Sequence, residues 1–312
     1  MNNVEQYRYD FSVVIPAFDE EGNVDILMNE IQIVFSKYGL NGEVVFVDDG
    51  SNDDTFKRAV FHKESMKCLK VVRHHRNLGK TEAIVNGVQH SESPLIIILD
   101  ADLQYSPEEI PRFIQKLNEG YDLVTGKKIG SYGKNIVSYI YNWFCQKLFT
   151  IPVTDMNSMK AFRREILDGI HLRHDWHRFL VVLSYCYGFT VTEIDVKLRP
   201  RKYGNPKYSG YGRIIIGVLD LLSVKFKIAF SRKPLLFFGT IGLFLIFLGF
   251  ITGLVAIYMR IFLHEGFRPI LYLVMLFIIT GCISFIGGFI GEIISDLSDR
   301  FEHITKRSNK DI

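Results

Sequence analysis

Two runs without a single charged residue constrain this chain more than any other feature. One extends from Pro234 to Met259 and the other from Pro269 to Gly291, joined by a short polar link, RIFLHEGFR. Crossing the hydrocarbon of a bilayer takes about 20 apolar residues, and each run exceeds that. One such run would suit the core helix of a large soluble domain; two in tandem predict a membrane hairpin. Paired spans place both flanks on one side. Arg232 and Lys233 precede the first run, and Arg300, Lys306 and Arg307 follow the second. Because Arg260 and Arg268 lie in the link, the positive-inside bias is real but modest. Gly249/Gly253 and Gly287/Gly291 offer small residues four apart, the spacing of a helix-helix contact.

The rest divides around this hairpin. Residues 1–210 read as a soluble domain, 211–233 as an amphipathic juxtamembrane segment, 234–295 as the spans and 296–312 as a cytoplasmic tail. In GRIIIGVLDLLSVKFKIAF, Arg213, Gly217, Asp220, Ser223 and Lys227 recur every three or four residues among apolar neighbours. That pattern predicts a helix lying in the membrane interface. The amino terminus, MNNVEQYRYD, lacks the apolar stretch of a signal peptide, so the soluble domain is expected on the cytoplasmic side of the cell membrane. A net charge of +3 gives no field that would select nucleic acid. Cys68, Cys145, Cys186 and Cys282 are scattered, with no zinc-type spacing.

Within the soluble part, strands alternate with helices. FSVVIP, EVVFVDD, CLKVVRH, LIIIL and YDLVTG read as strands, continuous in apolar residues as burial on both faces requires. NVDILMNEIQIVFSKYG has helical spacing and closes on Gly39; a second helix is expected over Lys80–His90. Ser106 followed by Pro107 starts another. The expected fold is α/β, a mostly parallel sheet covered by helices.

Ligands of such sheets bind beyond the carboxyl ends of the strands, and there this chain is acidic. Asp48 and Asp49 end the second strand, while LIIIL runs into Asp100, Ala101 and Asp102. Carboxylates so close repel one another unless a cation relieves them. Neither GxGxxG after the first strand nor a GxxxxGK[ST] is present, which disfavours a dinucleotide or P-loop site. What remains suits a divalent cation bound through oxygen and holding a diphosphate. Asp102 is the better ligand, Asp100 can reach the cation or sugar and ribose hydroxyls, and Gln104 adds a neutral oxygen.

SVVIPAFDEEGN, VVFVDDGSNDDT, RNLGKTEAIVNG and ILDADLQYSPEEIP together resemble the family-2, GT-A-type glycosyltransferases. More narrowly, they resemble the dolichol-phosphate-mannose-synthase-like, bacterial polyprenyl-phosphate branch with two carboxy-terminal transmembrane helices. The resemblance implies a GT-A domain that moves one sugar from a UDP- or GDP-sugar to polyprenyl phosphate with inversion, using Mg2+ or Mn2+. It implies a multi-pass inner-membrane enzyme and a homo-oligomer, a tetramer being one arrangement.

Site residues follow from the same resemblance. Pro16, Ala17, Phe18 and Glu20 match the nucleotide loop, with Phe18 where relatives usually carry Tyr. Asp48 and Asp49 match the positions near base and ribose; Asp100, Ala101, Asp102 and Gln104 match the metal and diphosphate site. Lys128 stands where Arg is common, and so lacks the bidentate fork. Lys134 and Ser138 match an acceptor-phosphate pair. Arg201 and Lys207 match a basic loop that closes over phosphates, here with Pro206 where Ser is common. Asp155 matches the proposed base, or orients an acceptor-side cation such as Arg163. His177 and Arg178 fall near the acceptor side, His177 reading as structural and Arg199 as a surface charge.

Two rival classes are open at this point. A processive polysaccharide synthase usually carries Q-x-x-R-W, but Trp143 and Trp176 here follow Asn and Asp. A non-catalytic membrane scaffold would have no use for the acidic set.

Overall fold

The computed structural model describes residues 7–129, 146–170, 172–200, 219–228, 233–264, 266 and 268–308, with backbone only at Arg268 and 298–308. The chain forms two units, Met1–Val218 and Leu219–Ile312.

In the first unit the described strands form one sheet. They are β1 (Phe11–Ala17), β2 (Gly42–Asp48), β3 (Leu69–Arg73), β4 (Leu95–Ile98), β5 (Leu123–Ile129), β6 (Lys160–Arg163) and β7 (Val191–Lys197), in the order β3-β2-β1-β4-β6-β5-β7. All pairings are parallel except those of β6, which runs antiparallel to both β4 and β5. Every residue of β2 is buried, as a strand covered on both faces demands.

Helices α1 (Glu21–Tyr38), α2 (Thr55–Phe61), α3 (Lys80–Gln89) and α4 (Ile110–Asn118) connect the parallel strands. Helix α1 buries Val24, Leu27, Met28, Ile31, Val34 and Phe35, a stripe at three- and four-residue spacing. It ends where Gly39 turns left-handed and donates its amide to the Phe35 carbonyl. Ser106 accepts from the Glu108 amide and opens a 3-10 turn, Pro107–Glu109, that leads into α4. Arg199 joins Glu30 and the Ser106 hydroxyl, both at 2.6 Å, and is therefore a structural tie. After β6 come α5 (Glu165–Gly169), a 3-10 turn (Trp176–Phe179) and α6 (Leu180–Cys186).

In the second unit, helical residues 219–228 bury Leu221 and Val224 and expose Leu219, Leu222 and Phe226. Helices α7 (Pro234–Phe262) and α8 (Arg268–Ser308) pack together. Both are long and apolar enough to cross a membrane, with mean hydropathy 2.5. Only 11% and 6% of their apolar windows are buried, unlike the core helix of a soluble protein. The hydroxyls of Thr240, Thr252 and Thr280 bond to carbonyls one turn back, so these polar groups are satisfied within their own helices.

The helix contact differs from the expected one. A Cβ on Gly242 would lie 2.7 Å from the Gly281 carbonyl, and one on Gly281 would lie 2.8 Å from the Gly242 carbonyl. Gly249 and Gly288 also meet the facing helix closely, whereas Gly253 barely touches it and Gly287 meets nothing within 4 Å. The contact stripe therefore steps by seven residues, Gly242 to Gly249 and Gly281 to Gly288, and not by four. Ser284 donates to the Phe238 carbonyl at 3.0 Å, and Glu292 accepts from the Leu235 amide at the start of α7.

Candidate active site

Strand direction decides where the chemistry gathers. The parallel strands β1, β2, β4 and β5 all deliver their carboxyl ends to one rim. Because β6 is antiparallel, it brings its first residue, Lys160, to that same rim, in register with Ile98 and Thr125.

The loops after β1 and β2 brace each other. Asp49 donates its amide to the Ala17 carbonyl at 2.8 Å. The Asp19 and Glu20 amides donate to the Ser51 and Thr55 hydroxyls. Glu20 also accepts from Asn23 at 2.6 Å. Asp48 is fully buried, pairs with Arg73 at 3.0 Å and accepts from the Ser51 amide. Asp49 accepts from the Leu78 and Gly79 amides and bonds to His74 Nδ1 at 2.7 Å. Both carboxylates thus hold the loops together. The Asp49 contacts fix Gly79, whose φ of 95° is one that side chains rarely adopt. Gly79 in turn aims Lys80, the first residue of α3, at the rim. Pro16, Ala17 and Phe18 line the start of this braced loop.

At the centre, Lys80 Nζ lies 2.5 Å from Asp100 Oδ1. Burial would raise the Asp100 pKa, but Lys80, helped by Lys160 and Lys128, holds it below the ordinary value. Asp102 accepts from the Gln104 amide at 3.1 Å, a turn that points the segment back to the rim. Between them Ala101 is buried, and Leu103 takes a φ of 60°. The Gln104 carbonyl accepts from Arg199.

Across the rim, Asp155 is buried, accepts from the Asn157 amide at 3.0 Å and lies 3.6 Å from Lys128 Nζ. Lys128 also donates to the Asn157 carbonyl. Lys160 is 6% exposed and donates to the Ser158 carbonyl at 2.9 Å. Burial and Lys80 bring its pKa down to about 7, against the opposing pull of Asp100 and Asp155. Tyr105, buried beside the same carboxylates, is pushed well above the usual phenol range, chiefly by burial. His177 bonds to Thr81 Oγ1 at 2.9 Å. Burial, with Lys80 and Lys160 nearby, holds its pKa well below the ordinary value, so it stays neutral.

The structure therefore brings Asp100, Lys128 and Asp155 into one cluster, with Asp102 and Gln104 on its loop. It does not bring Arg163 there. Arg163 pairs in register with Leu95, three residues from the Ile98–Lys160 pair and about 10 Å along the strand. It donates to the Leu117 carbonyl and lies 3.6 Å from Asp122. The cation that Asp155 faces is Lys128, at 3.6 Å. Sequence reasoning missed Lys80 and Lys160; for Lys80 the signal was its position at a helix start beyond a strand. Lys134, Ser138, Arg201 and Lys207 lie outside the described residues.

The donor chemistry fits a small divalent cation. Among the described residues no group of three or more His, Cys, Asp or Glu is gathered, as a cation held entirely by protein would need. Magnesium-type ions instead keep several waters and take one or two carboxylates plus substrate phosphates. Asp102 and Asp100 can supply such hard oxygens, with Gln104 on the same loop.

Residues 12–179, over half of the chain, match the profile described as Glycosyl transferase family 2. An undecaprenyl-phosphate 4-deoxy-4-formamido-L-arabinose transferase from Klebsiella pneumoniae is 30% identical over 308 residues, covering 95% of this chain and 92% of the relative. A dodecaprenyl-phosphate galacturonate synthase from Rhizobium johnstonii is 29% identical over 307 residues, covering 92% and 88%. Among solved structures, glucosyl-3-phosphoglycerate synthase from Mycobacterium tuberculosis with Mn2+, UDP and phosphoglyceric acid superposes with TM-score 0.55 at 20% identity, over 68% of this chain and 78% of that one. That likeness shows the GT-A type of fold. The acidic rim, the topology and the match together make this chain a glycosyltransferase of family 2.

Proposed function

We propose that the chain moves one sugar from a UDP- or GDP-sugar to polyprenyl phosphate, inverting the anomeric carbon, at the cytoplasmic face of the inner membrane. The observation that carries this reading is the extent of similarity to the Klebsiella transferase, 308 residues and 95% of this chain, which takes in the two apolar helices as well as the catalytic domain. A long isoprenoid leaves the bilayer only at about 0.8 kcal/mol per buried CH₂. An enzyme using it gains from anchoring its site at the headgroup plane.

In this reading Pro16, Ala17, Phe18 and Glu20, with Asp48 and Asp49 beneath them, form the base and ribose side. Asp102 and Asp100, with Gln104, hold the divalent ion. When bound, that ion neutralises charge developing on the departing diphosphate. An acceptor phosphate oxygen attacks the anomeric carbon as the bond from that carbon to the diphosphate oxygen breaks. The electron pair leaves with the nucleoside diphosphate, and a phosphodiester remains. The second pKa of a phosphate monoester is about 6, so the nucleophile needs positioning more than deprotonation. Lys128 and Lys80 supply positive charge on the two sides of the cluster. Asp155 serves as a base or as the anchor of Lys128. Lys134, Ser138, Arg201 and Lys207 complete the acceptor and closing-loop roles in this proposal.

The test is transfer from a panel of labelled sugar nucleotides to undecaprenyl phosphate with Mn2+, using the purified full chain in detergent. The reading expects label in a lipid extract. Label in insoluble polymer would mark a processive synthase, and none with any donor would favour a scaffold.

A further inference from the structure

Toward the link between them, the two apolar helices draw apart. A Cβ on Gly242 would stand 2.7 Å from the Gly281 carbonyl and one on Gly249 2.8 Å from Ile278 Cγ1, but one on Gly253 would meet only Val274, at 3.8 Å. The space so opened is a slot of about 730 Å³, walled by Gly253 and Ala256 of α7 and by Ile270, Leu271 and Val274 of α8. That size is ordinary for a ligand pocket. Arg260 and Gly266 line its link end. Gly266 makes room for the guanidinium, since a Cβ there would lie 2.9 Å from Arg260 Nη1. Arg260 is exposed and has no ion pair or side-chain hydrogen bond among the described residues.

At 1.5 Å per residue the 29 residues of α7 span about 43 Å, against a hydrocarbon core of about 30 Å. Arg260, two residues from the end of that helix, therefore stands at headgroup level. Tyr258 and Tyr272, exposed near the same ends of the two helices, suit that level as well. From Arg260 back to Gly253 the slot follows seven residues of helix, about 10 Å, where half of the hydrocarbon core is about 15 Å. A cation without a partner at the headgroups, above an apolar slot that reaches most of the way to the bilayer centre, has the polarity of an anionic lipid in reverse. A second copy lying parallel in the membrane would need a carboxylate at this level. The acids described on the hairpin, Glu292, Asp296 and Asp299, stand at least 24 residues beyond Arg268 on α8, about 36 Å away. We propose that the slot binds a phospholipid with an anionic headgroup, its phosphate on Arg260 and one acyl chain between α7 and α8. Such a site requires the two spans but no sugar transfer, so the two readings fail separately.

Native mass spectrometry of the full chain in detergent, titrated with phosphatidylglycerol or phosphatidylcholine, tests it. The wild type should hold one phosphatidylglycerol per chain about fivefold more tightly than phosphatidylcholine, the size of effect one cation has on an anionic lipid. Arg260→Gln should lose that preference and Arg260→Lys keep it. Gly253→Leu, whose Cβ meets only Val274 at ordinary contact distance, should fill the slot and cut binding of the lipid by a similar factor with Arg260 intact. An unchanged preference in Arg260→Gln, or unchanged binding in Gly253→Leu, would overturn the proposal. Displacement of the lipid by inorganic phosphate would overturn it too, because free phosphate has no chain to place between the helices. Equal uptake of the two lipids by the wild type would overturn it whatever the variants do. If that uptake came with dimers that dissociate on Arg260→Gln or Glu265→Gln, the slot would be a contact between copies.

Discussion

At the amino end of the sheet, Glu43 is fully buried, accepts from the Ser12 hydroxyl at 2.6 Å and from the Glu92 amide, and pairs with Lys70 at 3.1 Å. Arg164 closes the same region by donating to the Ser93 and Ser91 carbonyls. At the carboxyl end, Asp100 pairs with Lys80 at 2.5 Å and Asp155 lies 3.6 Å from Lys128, yet Asp100 keeps about a third of its side chain accessible, 32%, and Lys80 29%. Both ends bury charge. One end consumes it internally and closes; the other balances it and stays open to a ligand. Buried charge alone therefore marks no site. Its place relative to strand direction does.

The comparison breaks most sharply with Asp102→Ala. In the proposed role of Asp102 as an oxygen ligand of the diphosphate-holding cation, its removal should cut transfer by roughly 10²–10³-fold, the loss typical of a preorganised electrostatic group. The melting temperature should move by no more than about 2–4 °C. Rates from lipid extraction and a thermal melt on the same preparation check both halves. Glu43→Ala should do the reverse. Losing one member of a buried pair costs about 3 kcal/mol, the low end of the usual range because Lys70 reaches solvent. Chemical denaturation should show that loss while turnover per folded molecule holds.

The third prediction concerns pH. The folded pKa of Lys160, about 7, lies below that of an unfolded lysine. Between these values the unfolded chain binds the extra proton, so stability rises with pH through this window and the burial cost falls most heavily below pH 7. Without metal or donor, wild type should gain roughly 2 kcal/mol from pH 7 to 9 relative to Lys160→Met. Denaturation at the two pH values measures it. The smallest effect is expected at the amino end: Arg163→Ala should leave transfer within about twofold of wild type. A larger loss in steady-state rate would place Arg163 on the acceptor path after all.

Much of the fold was legible in the sequence for definite reasons. The runs VVFV of β2 and LIIIL of β4 are apolar and end in acids, and the stripe of α1 with Gly39 behind it can be read only as a helix and its cap. The acidic rim was legible because strand ends are readable. Strand β6 was not. KAFR is four residues long, carries a cation at each end and has no periodicity, and its insertion between β4 and β5 is a non-local pairing that no local pattern encodes. Missing β6 meant missing Lys160 and misplacing Arg163, which lies on the same strand but at its other end. The helix glycines failed for a related reason. Spacing shows which glycines share a face, but the partner helix decides which face is used.

The central claim is that the acidic rim, through a divalent ion, releases a nucleoside diphosphate as a polyprenyl phosphate takes the sugar. Mass spectrometry of the lipid product formed by the wild type from undecaprenyl phosphate, Mn2+ and a sugar-nucleotide panel tests it most directly. The account predicts a lipid carrying one sugar through a single phosphate, formed with release of nucleoside diphosphate and absent with Asp102→Ala. A polymer, a lipid-diphosphate sugar, or the same product at an undiminished rate from the Asp102 variant would contradict it.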